Sequence, residues 1–475
     1  MPVSTSYAPD PRIVDLGDDF WDGVVAETFP ETKLRVRNQR AASDVGLETL
    51  DDTQWVAHFG RFEPLPANLA PPLALRYHGH QFRTYNPDLG DGRGFLFAQL
   101  RDAGGRLLDL GTKGSGRTPW SRGGDGRLTL KGGVREVLAA VMLEALGVPT
   151  SRAFSLVETG EALTRGDEPS PTRSAVLTRL SHSHIRFGTF QRHAFHHRPD
   201  NLTALTDHVI AHYYPHLASK PDRARALLAA VVARSARLTA GWIAAGFVHG
   251  VLNTDNMSIT GESFDYGPYR FLPSSDPNFV AAYFDSAGLY SFGRQPEAVF
   301  WNLQQLAGAL SLITDSGPLV EVLNTFGPSY RGELTAAMVR RLGLTSQGEA
   351  ADAALTHAAF GALAAGGEAL RWEPFFFDWF CGDADRADKS GRRAVYASPE
   401  VGPFRAQVAA YTADRPARLT HPAFAAPDPQ ELLYDEIEAI WAAIAQTDDW
   451  GPLHAKIAAI DGAREAWGLP AQGAG

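Results

Sequence analysis

Three oxygen-bearing side chains, Asp255, Asn256 and Asp265, fall within one polar stretch, HGVLNTDNMSITGESFDYGP, at 249–268. Carboxylates and amides are the ligands a hard divalent cation prefers, and phosphate oxygens can complete its shell. A second stretch, KGSGRTPWSRGGDGR at 113–127, packs five glycines, three arginines, a lysine and an aspartate into fifteen residues. Glycines let backbone N–H groups approach a phosphate, and the cations neutralise it. LGDGRG, at 89–94, leads into a strand and by itself also reads as a tight turn. Arg179 and Arg186 bracket LSHSHI, and the guanidinium fork binds phosphate oxygens in pairs. The order GxxxxGK[ST] is missing, and no GxGxxG opens a helix after a first strand. Neither a P-loop nor a dinucleotide-binding Rossmann unit is expected.

Lys113 ends a predicted strand and Glu136 lies on the helix after it. A buried lysine needs a partner, and protein kinases use this strand-lysine to helix-glutamate pair to hold phosphate; a surface ion pair is the competing reading. Many kinase-like small-molecule phosphotransferases carry His-Gly-Asp with an Asn five residues after the Asp. Here Val251 stands at the Asp position, Asn256 keeps the spacing, and Asp265-Tyr266-Gly267 takes the place of Asp-Phe-Gly. The metal-binding half is therefore present and the ordinary base is missing, with Asp255 the nearest substitute. A polar hairpin built on Asx turns is the competing reading. His182 with His184, and His208 with His212, have spacings that permit metal binding, but packing and capping roles suit them better.

The elements that position these residues follow from periodicity. Strands are expected at 94–100 and 106–113 around the turn DAGGR, and further strands at 153–159 and 174–180. A helix over 130–146 stops at Gly147 and Pro149. Residues 202–248 read as helical with a break near 218–220, and 301–312 as another helix. The last third is alanine-rich and helical, with loops at LAAGGEA and TADRPARLTHPAFAAPDPQ and a frayed tail at 472–475. The first 70 residues read as an irregular lead-in with short helices. The expected fold class is α+β: an extension at 1–70, a strand-bearing nucleotide-binding lobe at 71–190, and a helical lobe at 191–475 carrying the 249–268 loop.

Composition narrows the function. The 475 residues are 44% hydrophobic and 21% charged, with a formal net charge of -10. A wholly disordered chain is excluded, and broad nucleic-acid binding, which needs a positive field, is not expected. One cysteine, Cys381, permits no internal disulfide and no multi-cysteine cluster. The N-terminus carries no basic region followed by an apolar run, and apolar stretches such as 226–233 are too short to span a bilayer. A cytoplasmic protein with no membrane partner is expected.

The chain resembles the selenoprotein O family, also described as YdiU-like protein nucleotidyltransferases. The resemblance is carried by GHQF at 79–82, LGDGRG, KGSGRTPWSRGGDGR, REVLAAVMLEALGVPTSRA at 135–153, AVLTRLSHSHIRFGTF at 175–190, GFVHGVLNTDNMSITGESFDYGP at 246–268 and YSFGRQPEAVFWNLQQLAGAL at 290–310. It implies a protein-kinase-like bilobal fold and transfer of AMP from ATP, or UMP from UTP, to Ser, Thr or Tyr hydroxyls of proteins, with Mg2+ or Mn2+. It also implies nucleotide contacts at Gly90, Gly92, Arg93, Lys113, Asp125, Gly126, Arg179 and Arg186. Asp255 would be the proton acceptor, Asn256 and Asp265 the metal ligands, and Glu136 the partner of Lys113.

Departures exist. Arg83 follows GHQF where glycine is expected, Ala98-Gln99 replaces Gly-Glu, and the family's Asn-Pro and Arg-Asn-His segment is missing near 392–422. The C-terminal selenocysteine or nearby cysteine of some members is also missing, which puts redox coupling there in doubt. Two other readings stay open: a small-molecule phosphotransferase, which Val251 disfavours, and a non-catalytic nucleotide sensor, which Asp255, Asn256 and Asp265 together disfavour.

Overall fold

A computed structural model describes residues 3–166 and 168–469; the expected fraying at 472–475 lies outside them. The fold is α+β, with one large antiparallel sheet and a helical part that follows it. The sheet runs Trp21–Gly23, Leu73–Leu75, Leu96–Arg101, Leu107–Lys113, Thr172–Ser181, Arg152–Leu163 and Lys33–Arg37, and two short strands, Ala8–Pro9 and Leu128–Thr129, pair onto it.

The central hairpin forms as its turn chemistry dictates. Asp102 accepts from the Gly105 amide at 2.9 Å, and the Asp102 amide donates to the Arg106 carbonyl at 3.1 Å. Gly105 has φ 78, a conformation glycine enters without steric cost. Alternation splits the sheet's side chains between two cores. Leu96, Leu156 and Leu177 face the Leu130–Ala145 helix and the helical part beyond it. Phe97, Leu110, Val176 and Leu180 pack under Trp55 and Phe59 of the Asp52–Phe59 helix. The Leu130–Ala145 helix starts where the Thr129 hydroxyl accepts from the Gly132 amide at 3.1 Å, an N-cap worth about 1 kcal/mol.

The lead-in differs from expectation. It holds the short helices Gln39–Asp44 and Asp52–Phe59, but it also supplies three strands of the sheet. Those strands are two to five residues long, too short for a period-2 pattern to emerge. Gln99, one of the family departures, is fully buried. Its amide donates to Asp109 at 2.8 Å and its carbonyl accepts from the Ile13 amide at 2.7 Å. A carboxylate could accept there but not donate.

The Arg223–Ala244 helix is long and apolar enough to cross a membrane by length and composition, and 67% of its apolar window is buried inside the protein. It is the central core helix, packed against Phe326–Arg341 and Gln295–Leu310. The Glu349–Gly366 helix runs into the LAAGGEA segment expected as a loop. The 412–430 segment carries the short 3-10 turns Pro416–Thr420 and Pro422–Ala425.

Candidate functional site

A cleft of about 530 Å³ opens where the sheet meets the 249–268 loop. Register builds one wall. Leu177 lies opposite Lys113 and Arg179 opposite Gly111, so Lys113 and Arg179 are diagonal neighbours on one face of the sheet. Lys113 Nζ donates to Glu136 of the Leu130–Ala145 helix, behind the cleft, and at 3.0 Å to Asp265. Arg179 reaches the same Asp265 oxygen at 2.5 Å, and Arg186 reaches the other at 3.1 Å. Arg186 also donates to the Asp255 carbonyl at 2.8 Å. Its guanidinium sits between the rings of Tyr77, at 4.6 Å, and Phe264, at 4.8 Å.

Asp265 is thus the common anion of three cations. Burial alone would raise its carboxyl, but Lys113, Arg179 and Arg186 outweigh that and hold it well below the usual range. Its backbone has φ 61, a left-handed conformation costing an L-residue roughly 1–2 kcal/mol, and such strain gathers at functional sites. The preceding residue is anchored by His249, whose Nε2 donates to the Phe264 carbonyl at 2.9 Å.

Asp255 stands in the turn Thr254–Asn256. Its Oδ1 is buried and has no hydrogen-bond partner. Burial pushes the carboxyl up to about 6, against the pull of Arg186. The turn is braced by the hairpin of Gly79–Gln81 and Thr84–Asn86. The His80 amide donates to the Thr254 hydroxyl at 2.7 Å, and the Phe82 amide donates to Asn253 at 3.0 Å. Tyr290 also donates to Asn253, at 2.8 Å. A Cβ at Gly79 would lie 3.1 Å from the Thr254 hydroxyl and 3.2 Å from Asp255, so glycine gives the hairpin and the turn a close, unstrained fit. Asn256 and Val251 line the same cleft.

The glycine-rich loops form the roof. Gly90, Gly92 and Arg93 line the cleft together with Asp125 and Gly126. A Cβ on Gly90 would come within 2.4 Å of the Trp120 ring, and Gly92 meets the Trp120 carbonyl. The Arg93 carbonyl accepts from the Gly114 amide at 2.6 Å, tying the two loops together. Asp125 takes both Arg165 nitrogens, at 2.8 and 3.1 Å. Burial raises the Asp125 carboxyl, but Arg165 and the Arg127 amide bring it below its ordinary value.

Of the residues singled out in the sequence, Gly90, Gly92, Arg93, Lys113, Asp125, Gly126, Arg179, Arg186, Asp255, Asn256 and Asp265 all line this one cleft, with Glu136 behind it. Sequence reasoning missed Asp91, buried beside Arg186 at 3.5 Å with its carboxyl raised by burial. It also missed Trp120, Arg165 and the bracing residue Asn253. Asp91 lies inside LGDGRG, where an acid among glycines was a signal; Asn253 and Arg165 carry none in spacing. The histidine pairs do not form a centre. His182 meets Tyr213 edge to face, and His208 and His212 lie ring to ring at 4.6 Å. Among the described residues no three His, Cys, Asp or Glu side chains gather as metal ligands.

The protein adenylyltransferase SelO family matches residues 3–461. A protein named protein nucleotidyltransferase YdiU from Synechocystis sp. is 46% identical over 471 residues, covering 94% of this chain and 96% of that one. Its counterpart in Gloeobacter violaceus is 47% identical over 458 residues, covering 94% and 93%. The one in Trichodesmium erythraeum is 44% identical over 475 residues, covering 95% and 97%. A match of this length, embracing the sheet, the cleft and the helices beyond it, makes this chain a member of the SelO family, whose relatives are named protein nucleotidyltransferases.

Proposed function

We propose that the protein transfers AMP from ATP, or UMP from UTP, to Ser, Thr or Tyr hydroxyls of other proteins, in a protein-kinase-like bilobal frame. Residues 71–190, together with the strands that the 1–70 lead-in adds to their sheet, serve as the nucleotide lobe, and 191–469 as the helical lobe. The observation that carries this reading is the asymmetry of one cleft. Three cations meet on Asp265, a carboxylate oxygen of the nearby Asp255 has no partner, and Val251 takes the place of an ordinary kinase base.

In this reading the acceptor oxygen attacks the α-phosphorus and the bond from that phosphorus to the bridging oxygen breaks. Pyrophosphate leaves with the electron pair, and the hydroxyl proton passes to Asp255. Lys113, Arg179 and Arg186 neutralise the phosphate tail, Glu136 holds Lys113, and Gly90, Gly92, Arg93, Asp125 and Gly126 fit the nucleotide from above. The donor set suits a hard cation: a carboxylate and an amide oxygen at the phosphate side of the cleft. Asn256 and Asp265 would hold Mg2+ or Mn2+, which when bound neutralises phosphate oxygens. For Asp265 to serve so, its three cations turn from the carboxylate to phosphate.

Parallel incubations with α-labelled and γ-labelled ATP test the reading, and intact mass separates AMP from UMP addition. Label on protein from the α position alone, with pyrophosphate released, is expected. Label from the γ position would make the protein a phosphotransferase, and nucleotide binding without either product would make it a sensor.

A further inference from the structure

We infer that an aromatic platform beside Asp255, made by Phe82, Tyr283 and Phe284, docks the acceptor protein and selects a hydroxyl with an apolar or aromatic residue close to it in sequence. This rests on the transfer reading above and names what that site accepts.

The three rings are 38%, 83% and 48% exposed; other exposed aromatic rings among the described residues, Phe195 and Tyr434, lie elsewhere in the sequence. The three are contiguous: Phe82 meets Phe284 at 5.9 Å, and Phe284 meets Tyr283 at 5.1 Å. Exposed aromatic groups of this kind mark binding surfaces, and aromatic side chains dominate the energetics of such surfaces.

The platform is joined to the cleft through the backbone. Gln81 lines the cleft and Phe82 follows it onto the surface. The Phe82 amide and the Tyr290 hydroxyl both donate to Asn253, two residues before Asp255. Phe82 also packs on Tyr290, with ring centroids 5.1 Å apart. The platform therefore lies on the rim beside Asp255, within reach of a polypeptide that brings a hydroxyl there.

The hairpin tip is strained in the same place. Gln81 pairs with Thr84, leaving Phe82 and Arg83 as a two-residue turn with φ 49 and 64. Asn-Gly is the ordinary solution for such a turn. Two bulky side chains held in the left-handed region at a site rim point to a use for those side chains. The charges nearby are already matched. Arg83 pairs with Glu297 at 2.8 Å, Arg294 pairs with Glu297 at 3.1 Å, and Asp285 accepts from the Leu289 and Tyr290 amides. The platform thus offers apolar area rather than charge to its partner.

The test uses the full chain, α-labelled ATP and an array of peptides, each carrying one hydroxyl with the flanking positions varied. Peptides with Phe, Tyr or Leu near the hydroxyl should be labelled at least ~10-fold more than Ser, Gly or Lys counterparts, the size of one good aromatic anchor. The double variant Tyr283→Ser with Phe284→Ser should lose that preference while its nucleotide affinity and melting temperature stay with the parent. Equal labelling across flanks, or a preference that survives in the variant, overturns the assignment. So does a variant that changes only the oligomeric state, because the platform would then meet a second copy of this chain. A parent that binds nucleotide but labels no peptide and no added protein removes the transfer reading itself, and the docking assignment falls with it.

Discussion

Two aspartates ten positions apart face one cleft and live in opposite environments. Asp265 is surrounded by Lys113, Arg179 and Arg186 and stays ionised. Asp255 is desolvated, its Oδ1 has no partner, and its carboxyl is raised to about 6. Charge is held at one carboxylate and proton affinity at the other. The contrast shows how one residue type is given two jobs by its neighbours, because burial and countercharge move a carboxyl in opposite directions.

The harshest way to break the contrast is Asp265→Asn. It removes the anion that three cations share, leaving Lys113 on Glu136 and Arg186 beside Asp91, and removing one partner of a buried ion pair costs about 3–5 kcal/mol. A thermal melt should show that loss, and transfer should disappear; full activity at limiting metal would sink the ligand assignment.

The same substitution at Asp255 should have the opposite sign on stability. The folded carboxyl binds its proton more tightly than the unfolded one, so its contribution is present at low pH and is lost as pH rises towards about 6. Asp255→Asn therefore stabilises above pH 6, by up to about 3 kcal/mol, and the gain fades towards pH 4. Transfer should fall at least ~100-fold with nucleotide and metal affinities kept, and the parent's rate should climb as pH passes about 6. Parental transfer with both affinities unchanged would remove Asp255 as the base.

Arg179→Gln sharpens the idea of stored charge. Taking one cation from Asp265 frees that carboxylate, so Mn2+ should bind the nucleotide-free protein several-fold to about tenfold more tightly. Nucleotide should bind more weakly. Electron paramagnetic resonance of free Mn2+ reads the first effect, and a metal affinity that falls instead would argue against the exchange of partners.

Val251→Ala should do least. The side chain is half-buried and lines the cleft, but it can neither take a proton nor bind a metal. Transfer should stay within about tenfold, with a packing cost of roughly 0.5–2.5 kcal/mol. A larger loss of turnover in a variant that folds normally would give this position a role in the reaction.

The sequence was most readable where chemistry and periodicity coincide. The Leu107–Lys113 strand, bounded by a hairpin turn and a glycine-rich loop, and the Leu130–Ala145 helix, with helical periodicity and a glycine stop after it, were legible, so the Lys113–Glu136 contact could be anticipated from spacing. Asp255, Asn256 and Asp265 were visible because polar residues there interrupt a buried helical run. The lead-in strands were not visible, since a strand of two to five residues takes its order from its neighbours rather than from its own pattern. The embrace of Asp265 by three cations was also hidden: spacing gives each residue's element but not the point in space where side chains from three of them meet. Arg83, read as a departure from glycine, proved to occupy a backbone conformation that glycine would adopt freely.

The last helices described bear on the order in which the molecule is made. Tyr434–Thr447 and Gly451–Trp467 pack against the Leu130–Ala145 helix. Lys131 is tied to Glu438 at 2.7 Å, and Ile460 and Ala463 enter the core that Val134 and Leu138 share. A ribosome delivers Lys113 and Glu136 long before these helices emerge. Until then the helix that carries Glu136 has an apolar flank open to water, and the lysine's support is loosely seated. The nascent chain therefore holds every residue of the cleft while lacking the backing that makes it rigid. The cleft should become rigid late in synthesis, after the C-terminal helices close over that flank.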